Sequence, residues 1–395
     1  MEKIKGLQQL TLRKFISNAC NFYFENKFSY ALWKLPDSAE FHLTASENPR
    51  QVSEINLEEA ESGFLFAPFD PEKKKIQLSA DEFYTFQDDQ LIGAQGKYTE
   101  EIQSYEHHSK QSDQQARPYF VTANQPPTPT SETDFHQLVI NSRDEILRGN
   151  FEKIVPSRTK SIQLKEDFDL IDSFYELCKL YPHAMVSAFT SPLTGTWMGA
   201  TPEILVKVDR NHHFHTVALA GTQHYHEGTD LRSVTWTQKD IEEQALVERY
   251  VISCFKKIRL REYNEQGPRT AIAGNVLHLK TDFDVDMTAT NFPQLGSIML
   301  KLLHPTSAVC GMPLDKTLQF LKDYEGYDRN FYSGYLGPVN VQRESHVYVN
   351  LRCMQLFADE AILYAGAGVM GESDPEKEWR ETELKMNTLE RIIRK

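Results

Sequence analysis

The chain has 395 residues, of which 40% are hydrophobic and 11% aromatic, so it can bury a large core and is neither disordered nor fibrous. Its formal net charge of −13 argues against a nucleic-acid or anionic-membrane surface as the main partner. The five cysteines are scattered, and no stretch approaches the roughly 18 apolar residues of a membrane-spanning helix. We therefore expect a cytoplasmic protein with no nucleic-acid and no membrane partner.

One change of composition divides the chain. Residues 122–134, TANQPPTPTSETD, contain three prolines and several hydroxyl side chains, which suit neither a helix nor a central strand. They are predicted to connect a weakly patterned N-terminal part, residues 1–121, to a region of sharper patterns, residues 135–395. We expect the N-terminal part to belong to the same domain and the chemistry to lie after the connector.

After the connector, runs of strands and runs of helices are predicted in separate groups. A first helix should open near Ser131, whose spacing to Asp134 resembles a capping box, and stop at Gly149. Apolar and β-branched runs predict strands at 153–164, 184–191, 194–200, 203–208, 214–221, 270–279, 346–357 and 361–368. Helical periodicity predicts further helices at about 168–180, 237–258, 292–303, 314–325 and 375–394. This grouping favours antiparallel sheets and an α+β fold.

Residues 366–371, GAGVMG, match the GxGxxG pattern between a predicted strand and a predicted helix. A dinucleotide site would also need a second parallel strand with an acidic residue about 20 positions on, and no such strand follows in this sequence. Two interpretations remain open. The glycines form a tight strand-to-helix turn, or their backbone amides bind a carboxylate at a helix entrance.

Carboxylates on two predicted helices have an ordinary interpretation as well as a functional one. Glu378, Glu381 and Lys385 are spaced i, i+3 and i+7, which places them on one helix face. Such a row is usually a solvated face with an ion pair, but it can also supply ligands to a hard cation such as Mg²⁺. By periodicity alone, Glu243 is a surface charge opposite an apolar stripe.

Motifs in consistent order over residues 135–395 resemble those of the chorismate-binding enzymes. They are EKIVPSR at 152–158, GATPEILV at 199–206, ALAGT at 218–222, LHPTSAVCGMP at 303–313, EGYDRNFYSGYLGPV at 325–339 and YAGAGVMGESDPEKEWRETELK at 364–385. This family includes isochorismate, salicylate, anthranilate and aminodeoxychorismate synthases. The resemblance implies a single large α+β domain of two stacked antiparallel sheets with helices packed outside, and chorismate as the small-molecule substrate.

The resemblance assigns three catalytic residues. Lys153 matches the lysine that activates water, Glu203 matches the general acid beside the departing C4 hydroxyl, and His304 lies near that leaving group. Each residue also has a structural interpretation: a strand-edge lysine, a turn residue after Pro202, and a buried, hydrogen-bonded histidine. The ordered set of motifs favours the catalytic interpretation over these alternatives.

The resemblance also implies a cofactor and a set of substrate contacts. Glu243 and Glu381 match magnesium ligands, with Glu378 close behind them, so Mg²⁺ is the implied cofactor. The residues implied to contact the substrate are Thr222, Tyr332, Gly334, Arg352, Lys385 and the backbone of Gly366, Ala367 and Gly368.

Two positions narrow the activity within the family. This chain has Ala220 where aminodeoxychorismate synthases carry a nucleophilic lysine, and Lys153 where anthranilate synthases carry glutamine. These positions disfavour both amine-transferring activities and leave isochorismate and salicylate synthases. ALAGT together with VLHLKT at 276–281 resembles the isochorismate synthases more closely. We therefore expect an isochorismate synthase, in which water attacks C2 of chorismate and the C4 hydroxyl leaves, feeding menaquinone or siderophore biosynthesis. The alternative is a salicylate synthase, which goes on to eliminate pyruvate, and an anthranilate synthase component is less favoured.

A different class of function is a catalytically silent chorismate-binding subunit that docks a glutaminase. The presence of Lys153, Glu203, Glu243 and Glu381 together argues against a silent subunit. We expect a monomer or weak homodimer with no obligatory glutaminase subunit.

Overall fold

The computed structural model describes residues 11–88, 90–105, 117–226, 228–273 and 276–394. Two nine-stranded antiparallel sheets stack on one another, and helices pack on their outer faces. The α+β class and the two stacked antiparallel sheets predicted from the sequence are confirmed.

The helices of the described ranges are numbered along the chain. They are α1 (Leu12–Glu25), α2 (Thr99–Ser104), α3 (Glu132–Leu147), α4 (Leu170–Leu180), α5 (Gln238–Lys257), α6 (Leu295–Leu303), α7 (Leu314–Tyr324) and α8 (Pro375–Ile393). None of these described helices combines the length and the apolar character needed to cross a membrane.

The strands are also numbered along the chain, and their order within each sheet follows the hydrogen-bonded neighbours. Sheet 1 consists of β7 (Gln90–Gln95), β6 (Glu82–Gln87), β2 (Glu40–Ser46), β1 (Ser29–Lys34), β10 (Met185–Ser191), β11 (Gly195–Thr201), β19 (Cys353–Leu356), β20 (Glu360–Gly366) and β9 (Ser157–Gln163). Sheet 2 consists of β14 (Asn264–Ala273), β15 (Val276–Asp286), β13 (His213–His224), β12 (Ile204–Val208), β18 (Ser345–Val349), β17 (Tyr335–Val339), β4 (Gly63–Ala67), β5 (Lys75–Ser79) and β3 (Arg50–Val52). A separate ribbon pairs β16 (Gly311–Met312) with β8 (Lys153–Ile154).

Strand β1 shows why the central strands of sheet 1 are apolar along their whole length. Successive side chains of a strand point to opposite faces of the sheet. Tyr30 and Leu32 enter the core beneath the helices, whereas Ala31 and Trp33 enter the core between the sheets. Both faces of the strand are therefore buried, and its sequence shows no alternation of apolar and polar residues.

The two sheets meet in an aromatic core. The ring of Phe66 in sheet 2 lies 4.4 Å from that of Phe189 in sheet 1, measured between centroids. Trp33 and Phe64 form a second pair across the sheets at 5.1 Å. Buried aromatic pairs contribute about 0.5–1.5 kcal/mol each beyond the area that they bury. This core fixes the sheets against one another and thereby fixes the side chains that both sheets carry at their seam.

The N-terminal part is interleaved with the rest of the chain. Strand β1 pairs with β10 in sheet 1, and β4 pairs with β17 in sheet 2. Helix α3 begins at Glu132, with Ser131 as its N-cap accepting a hydrogen bond from the Asp134 amide. The cap is the one indicated by the sequence, but the helix starts inside the segment predicted as a connector, because the last proline lies at 129.

Three segments predicted as single strands each form two strands in the structure. Residues 153–164 divide at Pro156 into β8 and β9, since proline cannot donate a hydrogen bond to a sheet. Residues 270–279 divide between β14 and β15, which pair as antiparallel neighbours. Residues 346–357 divide into β18 and β19, which belong to different sheets, and Arg352 between them has a left-handed φ of 46°.

Candidate active site

Two neighbouring segments of chain cross between the sheets at the same place. The chain passes from β11 to β12 through Glu203, and it returns from β18 to β19 through residues 350–352. Two backbone hydrogen bonds join the crossings, from the Ala200 amide to the Arg352 carbonyl (3.0 Å) and from the Val349 amide to the Glu203 carbonyl (2.9 Å). The two functional side chains are therefore held together at the seam between the sheets.

A cavity opens at this seam, with further walls from β13, α5 and α8. Of the residues predicted to act on or hold the substrate and metal, those that line it are Glu203, Thr222, Glu243, Tyr332, Arg352, Gly366, Gly368, Glu381 and Lys385. These residues come from separate sequence motifs, and the fold brings them to one place.

A β-bulge in β13 forms one wall. The register between β13 and β15 shifts between Ala220 and Gln223. Gly221 has a left-handed φ of 66°, and a Cβ atom there would lie 3.2 Å from the ring of Trp236. Because a bulge re-aims the strand locally, Ala220, Gly221 and Thr222 all reach the cavity.

Glu203 is a buried carboxyl group on the cavity wall. Burial raises the pKa of Glu203 to about 7, against the opposing effect of the nearby cations Lys153, Lys385 and Arg352. A carboxyl group with a pKa near 7 can hold a proton at neutral pH and release it during a reaction. The environment of Glu203 therefore suits a general acid.

Two cations of the cavity suit an anionic ligand. Burial lowers the pKa of Arg352 to about 10, an effect that Glu381 opposes, so the guanidinium stays charged at neutral pH. The Lys385 ammonium donates a hydrogen bond to the Gly366 carbonyl (2.8 Å). A guanidinium matches the two oxygens of a carboxylate, whereas an ammonium acts as a point charge.

Each carboxylate predicted to bind a metal is paired with a lysine. The pairs and their N–O distances are Lys153–Glu243 (2.7 Å), Lys385–Glu381 (2.6 Å) and Lys239–Glu378 (2.5 Å). Burial favours the neutral form of Glu381, but the ion pair with Lys385 holds its pKa below the ordinary value. Lys239 lies one helical turn before Glu243, and sequence reasoning missed it.

Two features of this group fit a bound cation. The Oε2 atom of Glu378 is buried without a hydrogen-bond partner. A Cβ atom on Gly368 would lie 2.5 Å from Glu243 Oε1, so the glycine leaves room for this oxygen in its present position. Among the described residues, the three carboxylates do not bring one oxygen each within 4.8 Å of one another. The described group whose ligand atoms do come this close lies outside the cavity and consists of Glu132, His136 and Glu376.

Lys153 and Glu378 lie behind the cavity wall rather than on it. Lys153 is fully buried on β8, and its hydrogen bond to Glu243 places it next to a residue of the lining. A Cβ atom on Gly368 would lie 3.1 Å from Lys153 Cε, so the glycine lets the backbone of the cavity wall pass close to the lysine.

His304 lies away from this cavity. Its Nε2 atom lies 3.1 Å from the Pro68 carbonyl, and its ring packs edge-on against Tyr335 with centroids 4.7 Å apart. It lines a different cavity, next to α6, and burial lowers its pKa to about 4. The structure therefore does not bring His304 to the active-site cavity, and its surroundings match the structural interpretation of a buried, hydrogen-bonded histidine.

Gly334 and Ala367 also lie outside the lining. The Ala367 amide donates to the Pro156 carbonyl (3.1 Å), so it is not available to a substrate. A Cβ atom on Gly334 would lie 2.0 Å from the Ala67 carbonyl oxygen, which explains the glycine by close packing. The sequence pattern had indicated that residues 366–368 stand at a helix entrance. Helix α8 begins only at Pro375, so their backbone does not.

His278 is a cavity residue that sequence reasoning missed. It lies on β15 within VLHLKT, and its Nδ1 atom hydrogen-bonds to the Gly221 carbonyl. Burial lowers the pKa of His278 to about 3, so its ring is neutral. Since Nδ1–H donates to the carbonyl, Nε2 remains as the nitrogen that can accept a hydrogen bond. Only its place in VLHLKT could have indicated it, because a histidine in a buried strand resembles a core residue.

The comparisons with known proteins agree with this geometry. Residues 72–394 match the family model described as "Chorismate binding enzyme", and the chain belongs to that family. It is 28% identical over 243 residues to the vibriobactin-specific isochorismate synthase of Vibrio cholerae, and this match covers 60% of this chain and 60% of the relative. It is also 28% identical over 266 residues to the isochorismate synthase EntC of Escherichia coli, which covers 65% of this chain and 66% of the relative.

The matched stretches thus span less than two thirds of the length of these two curated relatives. Among solved structures, MenF, the menaquinone-specific isochorismate synthase from Escherichia coli, has the same fold with a TM-score of 0.69. The alignment covers 95% of this chain and 91% of that chain at 18% sequence identity.

Proposed function

We propose that this protein is an isochorismate synthase, which converts chorismate to isochorismate by attack of water at C2 and loss of the C4 hydroxyl. The observation that carries the proposal is Glu203, a buried carboxyl with its pKa raised to about 7, in a cavity that also contains Arg352 and Lys385. The names of the relatives in Vibrio cholerae and Escherichia coli support the same activity.

The reaction takes one proton from water and gives one proton to the departing oxygen. Lys153 acts here as the neutral amine, not as the ammonium that pairs with Glu243 in the structure, and it accepts the proton of the attacking water as the new oxygen bond to C2 forms. Glu203 donates its proton to the C4 oxygen as the bond to carbon breaks. Lys153 lies behind the wall next to Glu243, which lines the cavity. The absence of a Cβ atom on Gly368 lets the backbone of the cavity wall pass close to Lys153.

Binding of the substrate requires local positive charge, because chorismate is a dianion and the chain carries a net charge of −13. Arg352 and Lys385 supply this charge at the cavity wall. Glu243 and Glu381 would hold Mg²⁺, with Glu378 behind them. When bound, Mg²⁺ would supply positive charge for a substrate carboxylate.

Glu381→Gln should weaken Mg²⁺ binding by about 10-fold or more, because a neutral amide replaces a carboxylate ligand. Calorimetric titration of Mg²⁺ into the purified protein measures this without turnover, and the KM for chorismate should rise in parallel. The matched control is Glu383→Gln, on the same helix, whose carboxylate pairs with Lys160 (2.9 Å) outside the cavity. An unchanged Mg²⁺ isotherm for Glu381→Gln would mean that this face is an ordinary helical ion pair.

One residue of the cavity lining and one residue behind it argue against the amine-transferring members of the family. Ala220 lines the cavity, and its methyl group cannot form the covalent amine intermediate that a lysine at this position would form. Lys153, in place of glutamine, supplies a base for water, which an enzyme that uses ammonia does not need.

Incubation of the purified protein with chorismate and Mg²⁺, followed by chromatography, tests the activity. Isomerisation involves no net loss of water, so chorismate and isochorismate should approach the same mixture from either side. Salicylate and pyruvate formed in equal amounts would instead identify a salicylate synthase. If the chain alone consumed no chorismate, the silent-subunit hypothesis would be favoured.

We also propose that the product supplies menaquinone or siderophore biosynthesis, since relatives are named for both vibriobactin and menaquinone. The five cysteines are free, which suits a reducing compartment such as the cytoplasm. A monomer or weak homodimer without a glutaminase subunit stays a prediction.

A further inference from the structure

We propose that Glu132, His136 and Glu376 form a second metal site, which takes Zn²⁺ or a similar divalent transition-metal ion. The three residues lie at the N-terminal ends of α3 and α8, and none of them lines the active-site cavity. We call them the α3–α8 triad. Within the described ranges, they are the group of potential metal ligands whose ligand atoms all lie within 4.8 Å of one another.

The two helices bring the ligand atoms of the triad to one point. Glu132 and His136 are four residues apart on α3, so they share one face of that helix, and Glu376 is the second residue of α8. His136 Nε2 lies 3.9 Å from Glu132 Oε1 and 3.9 Å from Glu376 Oε2. Ligand atoms bound at about 2.1 Å to a tetrahedral ion lie about 3.4 Å apart. Both glutamate side chains are about half exposed, so small rotations would close the site around an ion.

The Nε2 atom of His136 is shielded from water but has no partner. It is buried and has no hydrogen bond to any residue that the structure describes. At 3.9 Å, the oxygens of Glu132 and Glu376 are too distant for hydrogen bonds to it. A buried polar atom without a partner costs free energy, because it has lost its contact with water. A metal ion between the three side chains would satisfy this nitrogen.

Neighbouring side chains orient two of the three ligands. The Arg380 guanidinium donates to Glu376 Oε1, with Nε at 2.9 Å, which leaves Oε2 facing His136. The His136 ring packs edge-on against Trp379, with centroids 6.2 Å apart. Contacts of this kind hold metal ligands in position. Both glutamates also lie in the first turn of a helix, where the helix dipole favours the ionised carboxylate that a metal needs.

The donor atoms of the triad select the class of ion. Imidazole nitrogen is a good ligand for Zn²⁺, whereas Mg²⁺ prefers oxygen ligands. One nitrogen and two carboxylates leave a fourth position for water, which suits a partly exposed site. The carboxylates predicted to hold Mg²⁺, Glu243 and Glu381, are separate residues. A bound Zn²⁺ would join α3 to the start of α8 and thereby stabilise the packing of the two helices.

Calorimetric titration of Zn²⁺ into the untagged full-length protein, with Mg²⁺ in excess, tests the proposal. The wild type should bind Zn²⁺, and His136→Gln and Glu376→Gln should each weaken this binding by about 10-fold or more, since each removes a ligand. The matched control is His213→Gln, a histidine on β13 that lies 3.2 Å from Asp284, and it should leave the affinity unchanged. Zn²⁺ should also raise the melting temperature of the wild type by more than that of His136→Gln, because a ligand of the folded state stabilises it.

Glu381→Gln distinguishes the triad from the active site and should leave Zn²⁺ binding unchanged. Loss of binding in Glu381→Gln, with full binding in His136→Gln, would mean that Zn²⁺ occupies the active site and would overturn the proposal. The proposal also fails if the wild type binds no Zn²⁺, or if His136→Gln binds it as tightly as the wild type. None of these measurements requires turnover, so they do not depend on the proposed reaction.

Discussion

Lys153→Gln should lower turnover by about 10²-fold or more while leaving the affinity for chorismate nearly intact. Glutamine cannot accept a proton from water, and general base catalysis typically contributes this much to the rate. Lys153 is fully buried beside Glu243, so it has no role as a solvated surface charge. Initial rates of isochorismate formation over a range of chorismate concentrations separate the effect on kcat from the effect on KM.

Lys160→Gln is the matched control for this experiment. Lys160 lies on β9, the next strand along the chain after β8. It pairs with Glu383 and Glu390 and does not line the cavity. This variant should keep its turnover. Unchanged turnover in Lys153→Gln would remove Lys153 from the mechanism, whereas the gain of an ammonia-dependent product would support its role in selecting water.

Glu203→Gln should also lower turnover by about 10²-fold or more and should change the pH dependence of the reaction. In the native protein the pKa of Glu203 is raised to about 7, so the protonated form that acts as the acid is lost as the pH rises through about 7. The wild-type kcat should therefore fall above this pH. The residual rate of Glu203→Gln should lack this fall, because an amide does not titrate in this range.

Glu248→Gln on α5 is the matched control for Glu203→Gln. Its carboxylate accepts a hydrogen bond from Thr281 (2.9 Å) and does not line the cavity, so the variant should keep both the rate and the alkaline fall. The same fall in Glu203→Gln would assign the titration to another group.

Arg352 shows what the sequence could and could not predict. The resemblance to the chorismate-binding enzymes implied that Arg352 contacts the substrate. The run 346–357 nevertheless resembled one strand, since two valines and a tyrosine in its first half are followed by the largely apolar residues 353–357. The left-handed backbone at Arg352 and the change of sheet there are set by tertiary packing, and arginine itself does not signal a positive φ.

The two histidines of this region show the limit of pattern reasoning more sharply. His304 and His278 both stand among apolar residues, and burial lowers the pKa of each. The sequence favoured His304, yet the structure brings His278 to the cavity. Which cavity a buried side chain faces depends on how β15 and α6 pack, and neither periodicity nor residue type carries that information.

Helix α8 contains a contact that the sequence pattern did predict. The spacing of Glu378, Glu381 and Lys385 correctly placed an ion pair within the helix, since Lys385 and Glu381 are in contact at 2.6 Å. The lysines that pair with the other glutamates come from α5 and β8. Such partners lie far away in sequence, so helical spacing could not have predicted them.

The lysine–glutamate pairs also determine how the substrate meets the protein. Four cationic side chains and three carboxylates in ion pairs surround the cavity, so the cations are in excess by one while Glu203 keeps its proton. The cations are Lys153, Lys239, Arg352 and Lys385, and the carboxylates are Glu243, Glu378 and Glu381. This small local excess is set against a net charge of −13 on the whole chain. For the dianion of the proposed function we therefore expect repulsion at long range and attraction close to the cavity. Salt at physiological strength screens charges beyond about 8 Å, so it weakens the repulsion more than the attraction and favours encounter.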